Sequence, residues 1–152
     1  MSLDQEKQIA AKEAVKYIKS GMTVGWGTGS TAAHMVNELG KLVLNGLKIV
    51  GVPSSESTKK LATEKGIPLI TLENASSIDV YIDGADETNR HLHLVKGGGG
   101  ALTREKIVAA ASKKFVCIAD DSKLVDVLGK FPLPIEVIRR AQIGIASGRE
   151  RV

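Results

Sequence analysis

The sequence predicts an α/β fold in which a parallel β-sheet is covered by helices on both faces. Short apolar runs rich in β-branched residues alternate along the chain with segments whose apolar side chains recur at helical spacing. Glycine-rich or acidic turns follow several of the apolar runs, as is typical where the strands of a parallel sheet end. Aromatic residues make up only 3% of the chain, so we expect a core of Val, Ile, Leu and Ala.

Four segments have the pattern of helices with one apolar face. In the first, Ala11, Ala14 and Ile18 share that face, and Gly21 ends the helix. Ser30 is predicted to be the N-cap of the second helix, because its side chain can accept a hydrogen bond from the first turn. The predicted helices span residues 4–19, 31–44, 54–65 and 103–111.

Seven short apolar runs are predicted to be strands. They span residues 22–25, 48–52, 67–72, 78–82, 89–95, 114–119 and 135–138. The run at 89–95 alternates, with Leu92 and Leu94 on one side and His91 and His93 on the other. The carboxyl ends of parallel strands share one edge of a sheet, where ligands bind, so we expect the loops that follow the strands to meet there.

Length and charge narrow the function classes. The 152 residues suffice for one domain, and the net charge of +4 includes no dense Lys/Arg run with interleaved aromatic residues, so nucleic-acid binding is not favoured. No apolar run approaches the roughly 18 residues of a membrane span, and we expect no membrane partner and a cytoplasmic location. Cys117 lies in an apolar run and is expected to be a buried packing residue.

The segment 83–106 is the first candidate site. Asp83 and Asp86 follow a predicted strand, Lys96 precedes four consecutive glycines, and Glu105 lies about one turn into the next predicted helix. Bare glycine N–H groups next to a helix N-terminus suit an anion. Acids, a base and an anion cradle together suit proton transfer on a phosphorylated substrate. The alternative interpretation is an ordinary turn followed by a flexible linker.

The glycine loop at 25–31 is the second candidate site. Its hydroxyls and N–H groups precede a predicted helix and would suit a phosphate. The alternatives are a tight strand-to-helix turn, or a dinucleotide site, against which the absence of an acid at the end of the next strand argues. His91 and His93 have no further His or Cys nearby, so solvent-facing strand residues are favoured over metal ligands, and no metal site is predicted.

Four motifs in this order resemble the A-type ribose-5-phosphate isomerase family. They are residues 27–34, 83–87, 96–106 and 129–137. The resemblance implies a Rossmann-like sheet and reversible conversion of D-ribose 5-phosphate to D-ribulose 5-phosphate through an enediolate. It also implies a small-molecule sugar phosphate as the ligand, no metal or organic cofactor, and a homo-oligomer.

The resemblance also implies roles for individual residues. Glu105 corresponds to the general base, and Asp83 to an acid that assists ring opening and proton transfer between oxygens. Asp86 and Lys96 correspond to groups that hold the sugar and stabilise the developing oxyanion. The implied substrate-binding residues are Thr28, Gly29, Ser30, Thr31, Gly84, Ala85, Gly97, Gly98, Gly99 and Lys123.

We expect a Rossmann-like isomerase domain at 1–138 and a divergent tail at 139–152. Members of the family continue into a small second α/β domain, which we expect to be largely absent here together with the rest of the C-terminal third. Two hypotheses follow. Either the chain is an isomerase, with full or with reduced activity, or it is a non-catalytic sugar-phosphate-binding remnant.

Overall fold

The computed structural model of the chain describes residues 1–137. The helices are α1 (Leu3–Ala14), α2 (Ser30–Leu44), α3 (Glu56–Glu64) and α4 (Leu102–Ala110). The strands are β1 (Thr23–Trp26), β2 (Val50–Pro53), β3 (Val80–Asp83), β4 (Glu87–Thr88), β5 (Leu94–Val95) and β6 (Phe115–Cys117). Short 3₁₀ turns occupy Val15–Tyr17, Leu72–Asn74 and Asp121–Lys123.

Four strands form a parallel sheet in the order β2-β1-β3-β6, and β4 and β5 form a separate antiparallel pair. From β1 the chain crosses outward to β2 and then returns to β3 on the other side of β1. After β3 the chain leads outward to β6, on the side away from β1. The loops after β1 and β3 therefore run in opposite directions, which creates a crevice at the carboxyl ends of these two strands. A crevice at this topological position is where ligands bind in open α/β sheets.

Helices cover both faces of the sheet, as the sequence predicts. Val80 and Ile82 of β3 belong to the larger core cluster, which also contains side chains of α1, α2 and α3. Tyr81, on the opposite face of the same strand, packs with Val108 of α4 in a second cluster. Side chains alternate across a strand, so β3 contributes to both cores and its end is held rigidly between them.

Two predicted strands are wrong or much shorter than predicted. At 67–72 the structure has a single bridge between Leu69 and Gly51, because Pro68 has no N–H to extend a ladder. At 89–95 only the last two residues pair. There the Asn89 side-chain oxygen accepts the backbone N–H groups of His91 and His93 at 3.0 Å, and this local bonding replaces a ladder with a turn.

Three further expectations also need correction. Leu92 has a φ of 62° and is exposed, so it does not face the same side as Leu94. Ser30 is the first residue of α2, and the cap position belongs to Gly29, whose φ of 111° favours glycine. Residues 135–137 form no strand, and Ile138 and the tail 139–152 lie outside the described residues.

None of the helices within residues 1–137 combines the length and the apolar character that crossing a bilayer requires.

Candidate active site

A cavity of about 160 Å³ lies at the carboxyl edge of the sheet. It brings together every predicted site residue except Asp83: Thr28, Gly29, Ser30, Thr31, Gly84, Ala85, Asp86, Lys96, Gly97, Gly98, Gly99, Glu105 and Lys123. Lys7 of α1 also lines the cavity, and the sequence did not single it out. Segments far apart in the chain therefore converge on one site.

Asp83 ends β3 and is completely buried beneath the cavity. It can lie there because Gly27 has no side chain: a Cβ at that position would lie 1.8 Å from the Asp83 carboxyl group. The Gly84 N–H donates to Oδ1 at 2.7 Å, and the Tyr81 hydroxyl donates to Oδ2 at 2.7 Å. A buried carboxylate needs such donors to remain in place, so Asp83 is a fixed anion in the floor of the site.

Lys96 links the two buried acids. Its Nζ lies 2.8 Å from Asp83 Oδ2 and 3.6 Å from Glu105 Oε2, and it also donates to the Gly84 carbonyl oxygen. An ammonium carries three N–H donors, and 3.6 Å is too long for a good hydrogen bond. Among residues 1–137, two of the three Lys96 N–H donors are therefore used in short hydrogen bonds. The third remains available next to Glu105, and Lys96 itself lines the cavity.

Glu105 lies in the first turn of α4 and is only 4% exposed. Burial and, second, the negative charge of Asp83 raise the pKa of its carboxyl group above the ordinary value. Lys96 and the Thr28 backbone N–H act in the opposite direction and lower that pKa. A general base works best when its pKa lies near the operating pH, so a carboxylate in a cleft with a raised pKa is suited to that role.

Asp86 holds the glycine loop at residues 97–100 against the site. Its Oδ2 accepts the Gly98 N–H at 2.8 Å. A Cβ at Gly98 would lie 2.6 Å from Asp86 Oδ1 and 2.9 Å from the Phe131 ring, so a larger residue there would have to displace these side chains. Asp86 also lines the cavity, and its second carboxylate oxygen, Oδ1, can accept a further hydrogen bond.

The Thr28–Thr31 turn brings the N-terminus of a helix to the cavity. It leads into the 15-residue helix α2, whose N-terminus carries unpaired N–H groups and a partial positive charge. Lys7 and Lys123 line the same cavity. Two lysines, a helix N-terminus and the hydroxyls of Ser30 and Thr31 therefore line one cavity, and groups of this kind suit a phosphate.

The connector at 129–137 supports the helix that carries Glu105. Glu87 accepts the backbone N–H groups of Gly129 and Phe131, which holds the connector to the β4–β5 pair. Glu136 accepts the Thr103 N–H at 2.6 Å. Because Ala101 has no side-chain hydrogen bond to the first turn of α4, Glu136 takes the place of an N-cap.

Glu136→Gln is expected to destabilise the chain at neutral pH and to have little effect in acid. The Thr103 backbone N–H, and then its side chain, hold the pKa of Glu136 below its ordinary value. A carboxyl group with a depressed pKa adds stability above its unfolded pKa and loses it as the pH falls through the folded pKa. Thermal unfolding at about pH 7 and about pH 3 checks this. An equal difference at both pH values would contradict it, and exposed Glu64→Gln is the control.

Within residues 1–137 no group of three or more His, Cys, Asp and Glu side chains could hold a metal ion. The metal-free and cofactor-free chemistry implied by the sequence remains a prediction. Cys117 is partly buried, and burial raises the pKa of its thiol, which disfavours a nucleophilic role.

Comparison with known proteins agrees with this architecture. The family described as "Ribose 5-phosphate isomerase A (phosphoriboisomerase A)" matches residues 50–148. A ribose-5-phosphate isomerase A of Bradyrhizobium diazoefficiens is 56% identical over 138 residues, which cover 91% of this chain and 57% of the relative. Another, of Nitrobacter hamburgensis, is 53% identical over all 152 residues and 64% of its own length.

Solved structures show the same similarity. A D-ribose-5-phosphate isomerase in complex with phospho-erythronic acid superposes with a TM-score of 0.92 at 45% identity, covering 99% of this chain and 67% of that one. The ribose 5-phosphate isomerase of Methanocaldococcus jannaschii gives 0.91 at 44% identity, with 99% and 68% covered. The Pyrococcus horikoshii initiation factor eIF-2B, at 16% identity and a TM-score of 0.62, shares the fold alone.

The residues covered by these matches can be compared with the predicted division of the chain into a domain at 1–138 and a tail at 139–152. The chain spans 57% to 64% of the length of these curated relatives. The family match continues past residue 138 to residue 148, into the segment that we expected to diverge. The division at residue 138 itself remains a prediction. From the four-stranded α/β sheet, the family match and the identity to these relatives, the chain belongs to the ribose 5-phosphate isomerase A family.

Proposed function

We propose that this chain is an aldose–ketose isomerase that interconverts D-ribose 5-phosphate and D-ribulose 5-phosphate through an enediolate, with Glu105 as the base and no metal or organic cofactor. One observation carries the proposal beyond family membership: the buried Glu105 carboxylate lies 3.6 Å from the Lys96 ammonium in a cavity that is also lined by the Thr28–Thr31 turn, which suits a phosphate. Moving a proton next to a carbonyl requires such a base and such a cation.

The proposed reaction moves one proton between carbons and one between oxygens. With the phosphate at the Thr28–Thr31 end, Glu105 removes the proton from C2 of the open-chain aldose and returns it to C1. Negative charge develops on the carbonyl oxygen, and the uncommitted Lys96 N–H donates to that oxygen. A proton then passes from O2 to O1, so that the product is the ketose and the protein returns to its starting state.

Asp83 and Asp86 have different proposed parts. Asp83 assists ring opening and the proton transfer between oxygens through Lys96, since its own oxygens already accept hydrogen bonds below the cavity. Asp86 holds the sugar hydroxyls and keeps the glycine loop in place. The implied substrate-binding residues complete the contacts: Gly84, Ala85, Gly97, Gly98 and Gly99 along the sugar, and Gly29 and Lys123 toward the phosphate.

The double change Ser30→Ala and Thr31→Ala is expected to weaken binding of ribose 5-phosphate by at least about tenfold, the size of losing one hydrogen bond to a charged group. Inhibition by unphosphorylated ribose should change little, because ribose has no phosphate for these hydroxyls to hold. Calorimetric titration of both sugars checks the difference. Equal losses for both would mean that this loop positions the sugar, and exposed Ser57→Ala with Thr63→Ala is the matched control.

Ultraviolet detection of ketose formation from ribose 5-phosphate tests the proposal. Turnover without added nucleotide supports it, and we propose a rate below that of a longer relative assayed beside it. Saturable binding of ribose 5-phosphate without turnover would instead establish the second candidate, a non-catalytic sugar-phosphate-binding protein.

We also propose that the protein is a homo-oligomer. Apolar side chains of the connector are exposed, with 75% exposure at Leu133 and 68% at Ile135. Neighbouring exposed apolar residues commonly mark a contact with another protein. Light scattering on the sample used for the assay is expected to give a mass above that of one chain, and a monodisperse monomer would contradict this.

A further inference from the structure

Tyr81 is a buried polar residue that the proposed chemistry does not use. It lies in the middle of β3 with no exposed surface, and its ring packs in the cluster with Val52, Ile78 and Val108. Its hydroxyl donates to Asp83 Oδ2 at 2.7 Å. The ring alone accounts for the packing, so the hydroxyl needs a separate explanation.

The Tyr81 hydroxyl shares its acceptor with Lys96. Asp83 Oδ2 receives the Tyr81 O–H at 2.7 Å and lies 2.8 Å from the Lys96 Nζ, while Oδ1 receives the Gly84 N–H. A carboxylate held by donors on both oxygens cannot rotate. The phenol therefore fixes the oxygen to which the ammonium is anchored.

Tyr81 is suited to remain a donor throughout the reaction. Burial, followed by the charge of Asp83, raises the pKa of the phenol far above its ordinary value, so the hydroxyl keeps its proton.

We infer that Tyr81 is a positioning residue for the isomerase reaction: its hydroxyl orients the Asp83 carboxylate, which in turn holds the Lys96 ammonium where the enediolate oxygen forms. The inference rests on the proposed function, because the position of Lys96 matters most when that oxygen becomes charged. Tyr81 acts through Asp83 and touches no reacting atom.

Tyr81→Phe tests the inference, since it keeps the ring and removes only the hydroxyl. We expect kcat to fall about 10- to 100-fold, the range for losing one hydrogen bond to a charged group. KM should change less than about threefold, because the lost interaction acts in the transition state. Tyr17→Phe is the matched control: Tyr17 is 46% exposed and lies under Lys114, away from the cavity.

A double-mutant cycle with Asp83→Asn separates positioning from packing. If Tyr81 acts through Asp83, the double variant should be no slower than Asp83→Asn alone. The inference would be overturned if folded Tyr81→Phe had the kcat of the wild type. It would also be overturned if the fold-decrease in kcat of the double variant equalled the product of the two single decreases. A lower unfolding temperature with unchanged kcat would show a purely structural role and would also overturn it.

Binding of phospho-erythronic acid keeps this test independent of turnover. Its carboxylate resembles the enediolate oxygens, so Tyr81→Phe should weaken its binding about 10- to 100-fold relative to Tyr17→Phe. If the wild-type chain does not form ribulose 5-phosphate, the proposed function fails, and this affinity alone decides the inference. Equal affinity in the two variants, or no binding by the wild-type chain, overturns it.

Discussion

Glu105→Gln is expected to lower kcat by ~10²–10⁴-fold, the usual contribution of a general base, and to leave binding of ribose 5-phosphate nearly unchanged. The amide keeps the size of the side chain but cannot accept the C2 proton. Glu105 is 4% exposed beside the Lys96 ammonium, so water cannot easily replace it as a base. Initial rates and a binding titration on the same samples measure both effects.

The pH profile provides a second readout of the same residue. Because the base must be ionised, kcat/KM of the wild-type chain should fall as the pH drops through the pKa of Glu105, which burial and Asp83 raise above its ordinary value. Glu64→Gln, an exposed change at the end of α3, should leave rate and profile unchanged. Near wild-type turnover by Glu105→Gln would show that another group is the base.

Lys96→Gln is expected to have a comparably large effect for two reasons. The variant lacks the cation that would donate to the enediolate oxygen, and removal of one such donor typically costs ~10²–10³-fold in kcat. It also removes the counter-ion that Asp83 and Glu105, both buried, share in the described part of the chain. Since Lys96 lowers the pKa of Glu105, that pKa should rise further, and the acid limb of the kcat/KM profile should move to higher pH.

Stability should fall as well in Lys96→Gln. Removing one partner of a buried ion pair typically costs about 3–5 kcal/mol, and Lys96 is 19% exposed while Asp83 is fully buried, so we expect a loss near the lower end. Denaturant unfolding measures it. The exposed Lys60→Gln is the control for charge alone. A variant with wild-type stability and an unshifted pH profile would show that Lys96 does not balance these acids.

Most residues that line the cavity could be predicted from the sequence, because they can be recognised from their own type and their immediate neighbours in the chain. Glycines leave a backbone bare wherever they occur, and acids after an apolar run indicate the end of a strand. The parallel topology then brings such loops to one edge of the sheet, as observed for Thr28, Asp86 and Lys96. No knowledge of distant contacts was needed for this part of the site.

The residues that the sequence missed depend on packing between distant segments. Lys7 resembles any exposed lysine on a helix, and only the packing of α1 against α2 brings it to the cavity. Tyr81 has the pattern of an ordinary core residue in a strand. Asp83 was expected in the site, but its complete burial depends on Gly27, more than fifty positions earlier in the chain.

The wrong secondary-structure predictions have local physical causes. Apolar composition favoured a strand at 67–72, and Pro68 prevents its ladder from extending. Alternation favoured a strand at 89–95, and the Asn89 side chain pairs with the backbone there instead. Neither error affects the site, because both segments lie outside the loops that line the cavity.

The most direct test of the central claim follows the proton itself. Ribose 5-phosphate carrying deuterium at C2 is incubated with the chain and observed by NMR. We expect ribulose 5-phosphate to form, with part of the deuterium removed from C2 exchanged for hydrogen from water while Glu105 carries it and the rest delivered to C1. Glu105→Gln should do neither at a comparable rate, while Glu64→Gln should do both. Absence of ketose with the wild-type chain, or loss of C2 deuterium at the wild-type rate in Glu105→Gln, would contradict this mechanism.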